Sequence, residues 1–294
     1  MLIWGSSWLA IHFQLGEVAP EVSIAYRFIL ASALLVIWCR LRRISLRIAL
    51  RHHPFLALLG LSLFSLNYLL FYYAAFDLAT GLLAVIFSTM TVMNIFNSAI
   101  FLRRQIQKKT VLAVVFGLTG MALVFWPEIT TSGPRVAAAI GISLIATYLA
   151  SIGNIVSARN QNHGLPVAST NTIGMAYGAL FMLAYSAGSG TPFVIDTSTT
   201  YIGSLLFLAL FASAIAFGCY LTLVGRIGPA NAAYATVLFP IVALALSTWF
   251  EDYEWQNRAL VGVGLILIGN AIVLSRPGLI SRLKALSPRG QNND

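Results

Sequence analysis

The sequence predicts an all-α polytopic membrane protein, with ten transmembrane helices in two inverted five-helix repeats around a central cavity. Three observations lead there. First, 59% of the 294 residues are apolar and 9% are charged, with a mean hydropathy of +0.84. A soluble domain is about a quarter charged, so this chain lacks the polar residues to coat a water-facing surface. Second, the apolar residues lie in long unbroken runs, not in the ~10-residue alternating segments of a membrane β-barrel. Third, the charges sort by sign between the two ends of those runs.

A spanning helix needs ~20 apolar residues. Ten runs qualify: 1–15, 21–39, 54–76, 79–102, 110–126, 136–157, 166–186, 201–224, 229–250 and 259–275. Helix-ending residues punctuate them: Pro20, Pro54, Gly81, Pro127, Pro134, Pro166, Pro229 and Pro277. The first run opens on Met1-Leu2-Ile3-Trp4 with no charged segment ahead of it and no small-residue cleavage site behind it. It reads as a first helix with a minimal or trimmed cytosolic end, not as a signal peptide.

Charge then sets the orientation. Arg40, Arg42, Arg43, Arg47 and Arg51 follow the second span, and Arg103, Arg104, Lys108 and Lys109 follow the fourth. Arg159 follows the sixth, Arg226 the eighth, and Arg276, Arg282, Lys284 and Arg289 the tenth. Every acidic residue except Asp294 lies near the opposite side: Glu17, Glu21, Asp77, Glu128, Asp196, Glu251, Asp252 and Glu254. By the positive-inside rule both termini are expected in the cytoplasm, with the chain in the inner membrane. The net charge of +9 is thus a membrane signature and not a nucleic-acid footprint. Cys39 and Cys219 fall within apolar runs and form no disulfide framework.

Laying residues 78–126 on 227–275 matches Ala84 with Ala233, Ser98 with Ser247, Phe101 with Phe250 and Gly120 with Gly269. The same register lays the basic Arg103-to-Lys109 loop on the acidic Glu251-Asp252-Tyr253-Glu254 loop. Five spans per half force the halves into opposite orientations, and the positive-inside rule then demands this change of sign. The domains are expected at 1–126 and 136–275, joined by an external linker at 127–135 and followed by a basic cytoplasmic tail at 276–294. Inverted repeats recur in secondary transporters, whose substrate sites lie near the midplane between the repeats.

The spans hold no deeply embedded Asp, Glu or Lys. Arg27 is their one well-embedded charge, and an intramembrane ionisable residue is a functional candidate by default. Its bland alternative is an arginine reaching to the surface. Uncharged polar and aromatic residues are more frequent: Asn67, Tyr68 and Tyr72 in the third span; Ser88, Thr91, Asn94 and Asn97 in the fourth. Tyr148, Ser151 and Asn154 recur at i,i+3 in the sixth span; Asn171 and Tyr177 lie in the seventh, Tyr234 and Thr236 in the ninth. Polar stripes turn inward in a bundle, either to bond neighbouring helices or to line a cavity. The fifth and tenth spans are nearly free of such residues and read as peripheral. Gly174 and Gly178 make a GxxxG pair for close packing, and Pro240 marks a bend. The histidines have no ligand-spaced partners, so neither a metal nor a cofactor is expected.

Several motifs carry a resemblance. Trp4-Gly5-Ser6-Ser7-Trp8 is similar to the first-helix signature of the drug/metabolite transporter superfamily, EamA-type, and Tyr26-Arg27-Phe28 to its second-helix pattern. Asn67 to Ala75, Ala79-Thr80-Gly81, Phe87-Ser88-Thr89-Met90, Gly228-Pro229-Ala230 and Phe239-Pro240 resemble later helices of that family. Within it the chain resembles the YddG-type exporters, a group associated with aromatic amino acids. The resemblance implies a cavity lined by helices one to four and six to nine. One departure is Thr91, where fourth helices of the family often carry proline.

The expected function is secondary transport: export of small metabolites, amino acids including aromatic ones, by alternating access. The partners are a small-molecule substrate and the lipid bilayer, without nucleic acid, and the protein is expected to be a monomer. Candidate substrate-binding residues are Trp4, Ser7, Arg27, Asn67, Tyr68, Tyr72, Ser88, Thr91, Asn94, Tyr148, Asn154, Tyr177 and Tyr234, with Pro240 as hinge. A sugar-phosphate exchanger would want several cavity cations, a channel a charged ring or carbonyl filter, and an intramembrane enzyme a nucleophile–base pair. None of these patterns is present in the sequence. The missing embedded carboxylate points to facilitated transport.

Overall fold

The computed structural model describes residues 2–103, 108–232, 239–251 and 257–274. Among these residues every regular element is a helix. The long helices are α1 (Leu2–His12), α2 (Pro20–Leu41), α3 (Leu50–Ala74), α4 (Thr80–Leu102), α5 (Lys108–Ser132), α6 (Pro134–Asn162), α7 (Val167–Ser189) and α8 (Thr199–Ile227). A short α9 (Pro229–Ala232) precedes α10 (Phe239–Phe250), and α11 spans Asn257–Leu274. Helices α2, α3, α4, α6, α7 and α8 are each long and apolar enough to cross a membrane. Pro20 and Pro134 occupy the first positions of α2 and α6, where the missing N–H is one the helix leaves unpaired in any case.

Large apolar side chains such as Ile100, Val111, Leu118, Trp249 and Val261 are exposed on the outside of the bundle. In water such a surface would aggregate; lipid is its natural solvent. Between helices in lipid the hydrophobic effect contributes little, and close backbone approach takes its place. The glycines show where. A Cβ on Gly178 of α7 would stand 2.6 Å from the Phe64 carbonyl oxygen of α3, and one on Gly60 would stand 2.6 Å from that of Gly174. The GxxxG pair read from the sequence therefore seats α7 on α3. A second glycine contact joins α5 to α11, where a Cβ on Gly262 would lie 2.6 Å from the Gly120 carbonyl oxygen. Helix α5 packs chiefly on α11, at the periphery of the bundle, as their bland composition predicts.

The remaining contacts come in related sets. Helix α1 packs on α10 and α4; α4 packs on α6 and α10; α2 packs on α7 and α8; α3 packs on α6 and α7. Helix α3 widens to a π-helical turn at Ser62–Leu66, and α8 does so at Leu208–Ile215. The register that lays Ala84 on Ala233 lays residues 62–66 on 211–215.

Helix α4 is interrupted at Thr89, two residues before the position where the family resemblance places proline. The hydroxyls of Ser88 and Thr89 donate to the carbonyls of Val85 and Ile86, each at 2.7 Å. Such back-bonds compete with the helical ladder, so two hydroxyl residues accompany the break without a proline. Pro240 is buried as the second residue of α10. The residues that precede it, 233–238, lie outside the described ones, and so does the bend expected there.

Two acidic residues at the ends of spans have their side chains enclosed, Glu21 at the start of α2 and Glu251 just after α10. The Glu21 carboxylate accepts from Thr191 Oγ1 at 2.9 Å and Tyr73 Oη at 3.3 Å. The Glu251 carboxylate accepts from the Thr80 backbone N–H at 2.8 Å, from Thr80 Oγ1 at 2.6 Å and from Ser247 Oγ at 2.5 Å. His12 Nδ1 lies 3.4 Å away. One carboxylate thus ties α1, α4 and α10 together at their acid-bearing end. It also satisfies an orphan N–H at the positive end of the α4 dipole.

Two stability outcomes follow from this packing. Gly178→Ala should cost about 1–3 kcal/mol by overpacking, read as a lowered unfolding temperature of the detergent-purified protein; an unchanged midpoint would show that the α3–α7 contact has slack. Glu251→Gln removes the charge from three hydrogen bonds and should cost about 1–3 kcal/mol at neutral pH. His12→Ala should cost far less, and equal losses from the two would place the stabilisation on the histidine instead.

Candidate functional site

Between the helix mid-sections lies a cavity lined by Trp4, Ser7, Trp8 and Ile11 of α1, Leu63, Asn67, Tyr68 and Phe71 of α3, Phe87 and Met90 of α4, Asn154 of α6, Phe217 and Tyr220 of α8, and Phe239 of α10. The space free for water-sized molecules is about 40 Å3, roughly that of a few waters. A larger guest therefore enters only if the walls move.

The walls hold two sets of aromatic rings in mutual contact. Trp4 meets Phe217 and Tyr220 edge-on at 5.1 and 4.9 Å between centroids. Trp8 meets Phe71 at 5.1 Å and Phe87 at 5.8 Å; Phe87 continues to Phe239 at 5.7 Å. Phe64 links Phe217 to Phe28, which reaches Tyr68. Edge-to-face pairs of this kind contribute about 0.5–1.5 kcal/mol each beyond burial. They also present ring faces and edges that suit another aromatic ring. The Trp4 indole N–H donates to the Ala212 carbonyl at 3.1 Å, which fixes the indole against α8.

Few polar groups interrupt these rings. Asn154 Nδ2 is shared among Asn94 Oδ1, Tyr220 Oη and Met90 Sδ at 3.3–3.4 Å. Asn154 Oδ1 and Asn67 Oδ1 have no partner among the described residues. Beside this cluster Asn97 Nδ2 donates to Ser151 Oγ at 2.8 Å, and Asn94 Nδ2 lies 3.5 Å from the Pro229 carbonyl oxygen. These amides form a layer across α4, α6, α8 and α9, away from the Glu251 tie. Two lining residues that each carry an unpartnered carbonyl-type acceptor, in a mostly apolar wall, suit a donor-bearing, amphipathic guest.

The structure brings together Trp4, Ser7, Asn67, Tyr68 and Asn154 of the sequence-predicted residues. Arg27 and Asn94 stand directly behind the lining, through Tyr68 and Asn154 respectively. Tyr72, Ser88 and Thr91 are buried between helices and are not part of the lining. Tyr177 sits near the start of α3, 2.8 Å from His53 Nδ1. Tyr148 is 46% exposed, on the outside of α6. It precedes Asn154 by six residues, which turns it about 120° round the helix; an i,i+3 stripe drifts, and its two ends do not share a face. Tyr234 lies outside the described residues.

Sequence reasoning missed Trp8, Ile11, Leu63, Phe71, Phe87, Met90, Phe217, Tyr220 and Phe239. Apolar residues carry no face signal in a chain this hydrophobic. Trp8 follows Trp4 at i,i+4, and Tyr220 stands one turn before Val224 on the strongly amphipathic end of α8; only these two had a usable periodicity.

Comparison with known proteins agrees with this architecture. One solved structure superposes with a TM-score of 0.70 at 15% identity, covering 92% of this chain and 93% of its own; at that identity the likeness is one of fold. Protein PagO of Salmonella typhimurium is 22% identical over 273 residues, 93% of this chain and 90% of that protein. A probable amino-acid metabolite efflux pump of Escherichia coli is 22% identical over 280 residues, 92% of this chain and 90% of that protein. The model of the EamA-like transporter family matches twice, over residues 1–126 and 137–275. A multi-pass helical membrane protein with this cavity and both of these matches belongs to the EamA-like transporter family, a family of transporters and not of enzymes.

Proposed function

We propose that this protein exports amino acids, aromatic ones included, across the inner membrane by alternating access. The observation that carries the reading is the cavity: a largely aromatic lining with two residues that carry unpartnered amide oxygens, Asn67 Oδ1 and Asn154 Oδ1. An aromatic or aliphatic side chain fits the lining, and an α-ammonium group fits the amide oxygens. The similarity to amino-acid metabolite efflux pumps points the same way.

The architecture proposed with it is ten spans in two inverted halves, 1–126 and 136–275, with α9 and α10 belonging to one ninth span. The linker 127–135 is external, the tail 276–294 is cytoplasmic, and both termini are cytoplasmic, in a monomer. Support comes from the double family match, from the π-helical turns at equivalent positions of α3 and α8, and from packing that pairs α1 with α10 and α6 with α4. In this scheme the Glu251 tie closes the external end and the asparagine layer closes the cytoplasmic one. Each gate breaks in turn as α4 flexes at Thr89 and the ninth span at Pro240.

Counterflow in proteoliposomes loaded with unlabelled amino acids tests the reading without an imposed gradient. Labelled phenylalanine or tryptophan should accumulate saturably, and more than threonine. Absence of accumulation for phenylalanine, tryptophan, threonine and methionine alike, from folded protein, overturns it. Asn154→Ala should raise the half-saturating phenylalanine concentration about tenfold, the equivalent of ~1.4 kcal/mol. Tyr148→Ala, on the lipid-facing surface, should leave that concentration unchanged.

A further inference from the structure

Arg27 is the largest fully buried side chain among the described residues, 1% exposed. Its Nε donates to Ser213 Oγ at 2.9 Å, within the π-helical turn of α8. Its Nη2 reaches the Tyr68 hydroxyl at 3.3 Å, the Tyr72 hydroxyl lies beside the guanidinium, and Nη1 makes no hydrogen bond within the protein. Among the described residues no carboxylate lies within 4.0 Å of it. The Tyr68 ring covers the guanidinium, with its centroid 4.2 Å from Cζ, and Tyr68 also lines the cavity. A cation–π contact offsets part of the cost of burying this charge, but it does not replace a counter-ion. A structural arginine uses its fork on backbone carbonyls or reaches a surface. This one is held firmly at Nε and by one long bond at Nη2, with Nη1 left over.

We propose that Arg27 is a carboxylate-binding subsite of the cavity, shuttered by the Tyr68 ring. The Nη1–Nη2 edge has the planar geometry that takes a carboxylate bidentately. Swinging the phenol aside joins it to the aromatic lining. The ligand class is therefore a monocarboxylate with an apolar or aromatic body. An amine or amide that lacks the carboxylate is rejected, because it leaves the guanidinium buried and unpaired. This inference rests on the reading of the cavity as a substrate site, and it adds which end of the substrate is recognised and by what.

Two measurements separate its failure from the failure of that reading. The first is thermal unfolding of the purified protein in detergent with L-phenylalanine, 3-phenylpropanoate, L-phenylalaninamide or phenethylamine. The two carboxylates should raise the midpoint, and the amide and the amine should not. Arg27→Met should abolish the response while its own midpoint stays level or rises, since an unpaired buried charge is gone; Arg27→Lys should keep part of it. Tyr68→Phe keeps the ring and removes the hydroxyl that competes for Nη2, so it should bind 3-phenylpropanoate several-fold more tightly. No response to either carboxylate, an equal response to the amide, or an undiminished response in Arg27→Met overturns the subsite. Unchanged or weaker binding in Tyr68→Phe overturns the shutter. The second measurement is phenylalanine counterflow. Arg27-dependent binding without counterflow leaves the subsite standing and removes the transport reading. Counterflow undiminished in Arg27→Met does the reverse.

Discussion

A polar atom buried in a bilayer has no water to turn to, and the interior of this protein is arranged around that constraint. Hydroxyls deep in the helices fold back on their own carbonyls: Ser88 on Val85, Ser143 on Ala139, Thr147 on Ser143. Amides pair across helices, as Asn97 does with Ser151. Pairing stops short at several buried atoms among the described residues, Asn171 and Asn270 included, and three of them, Asn67 Oδ1, Asn154 Oδ1 and Arg27 Nη1, belong to residues at or beside the cavity. An unsatisfied group in lipid is costly, and these three atoms concentrate that cost around the cavity.

The same solvent removes the usual force that holds helices together. Glycine contacts supply close packing instead, between α3 and α7 and between α5 and α11. The aromatic lining supplies the rest, with rings interlocked from α1, α3, α4, α8 and α10. Rings can slide against each other more readily than hydrogen-bonded amides can separate. Room for a few waters between such rings is room that ring movement could enlarge, and the Glu251 tie and the asparagine pairs hold helices together on either side of it.

The irregular stretches of the helices follow from their chemistry. Thr89 interrupts α4, with hydroxyl back-bonds from Ser88 and Thr89 in place of a proline. The π-helical turns of α3 and α8 leave carbonyls without regular partners. Ser213, which holds Arg27, lies within one of these turns. The buried cation and the irregular backbone are thus parts of one arrangement, and movement of α8 carries the arginine with it.

The sequence by itself determined the helical membrane class, the number and order of the apolar runs and the sorting of charge, because hydropathy and the positive-inside rule act on linear stretches of chain. It also determined the family, through motifs at Trp4 to Trp8 and Tyr26 to Phe28. It marked Arg27, Asn67, Tyr68 and Asn154 because polar residues stand out in an apolar run. Only the tertiary structure decided which polar residues face the cavity. Tyr148 and Asn154 share a stripe in the sequence and opposite environments in the fold, since three-residue spacing drifts round a 3.6-residue helix. Only the tertiary structure decided, too, that the side chains of Glu21 and Glu251 are enclosed and that the cavity lining is chiefly aromatic. Phenylalanines and tryptophans in a membrane helix carry no sign of whether they meet lipid, a neighbour or a substrate; that depends on which helices surround them.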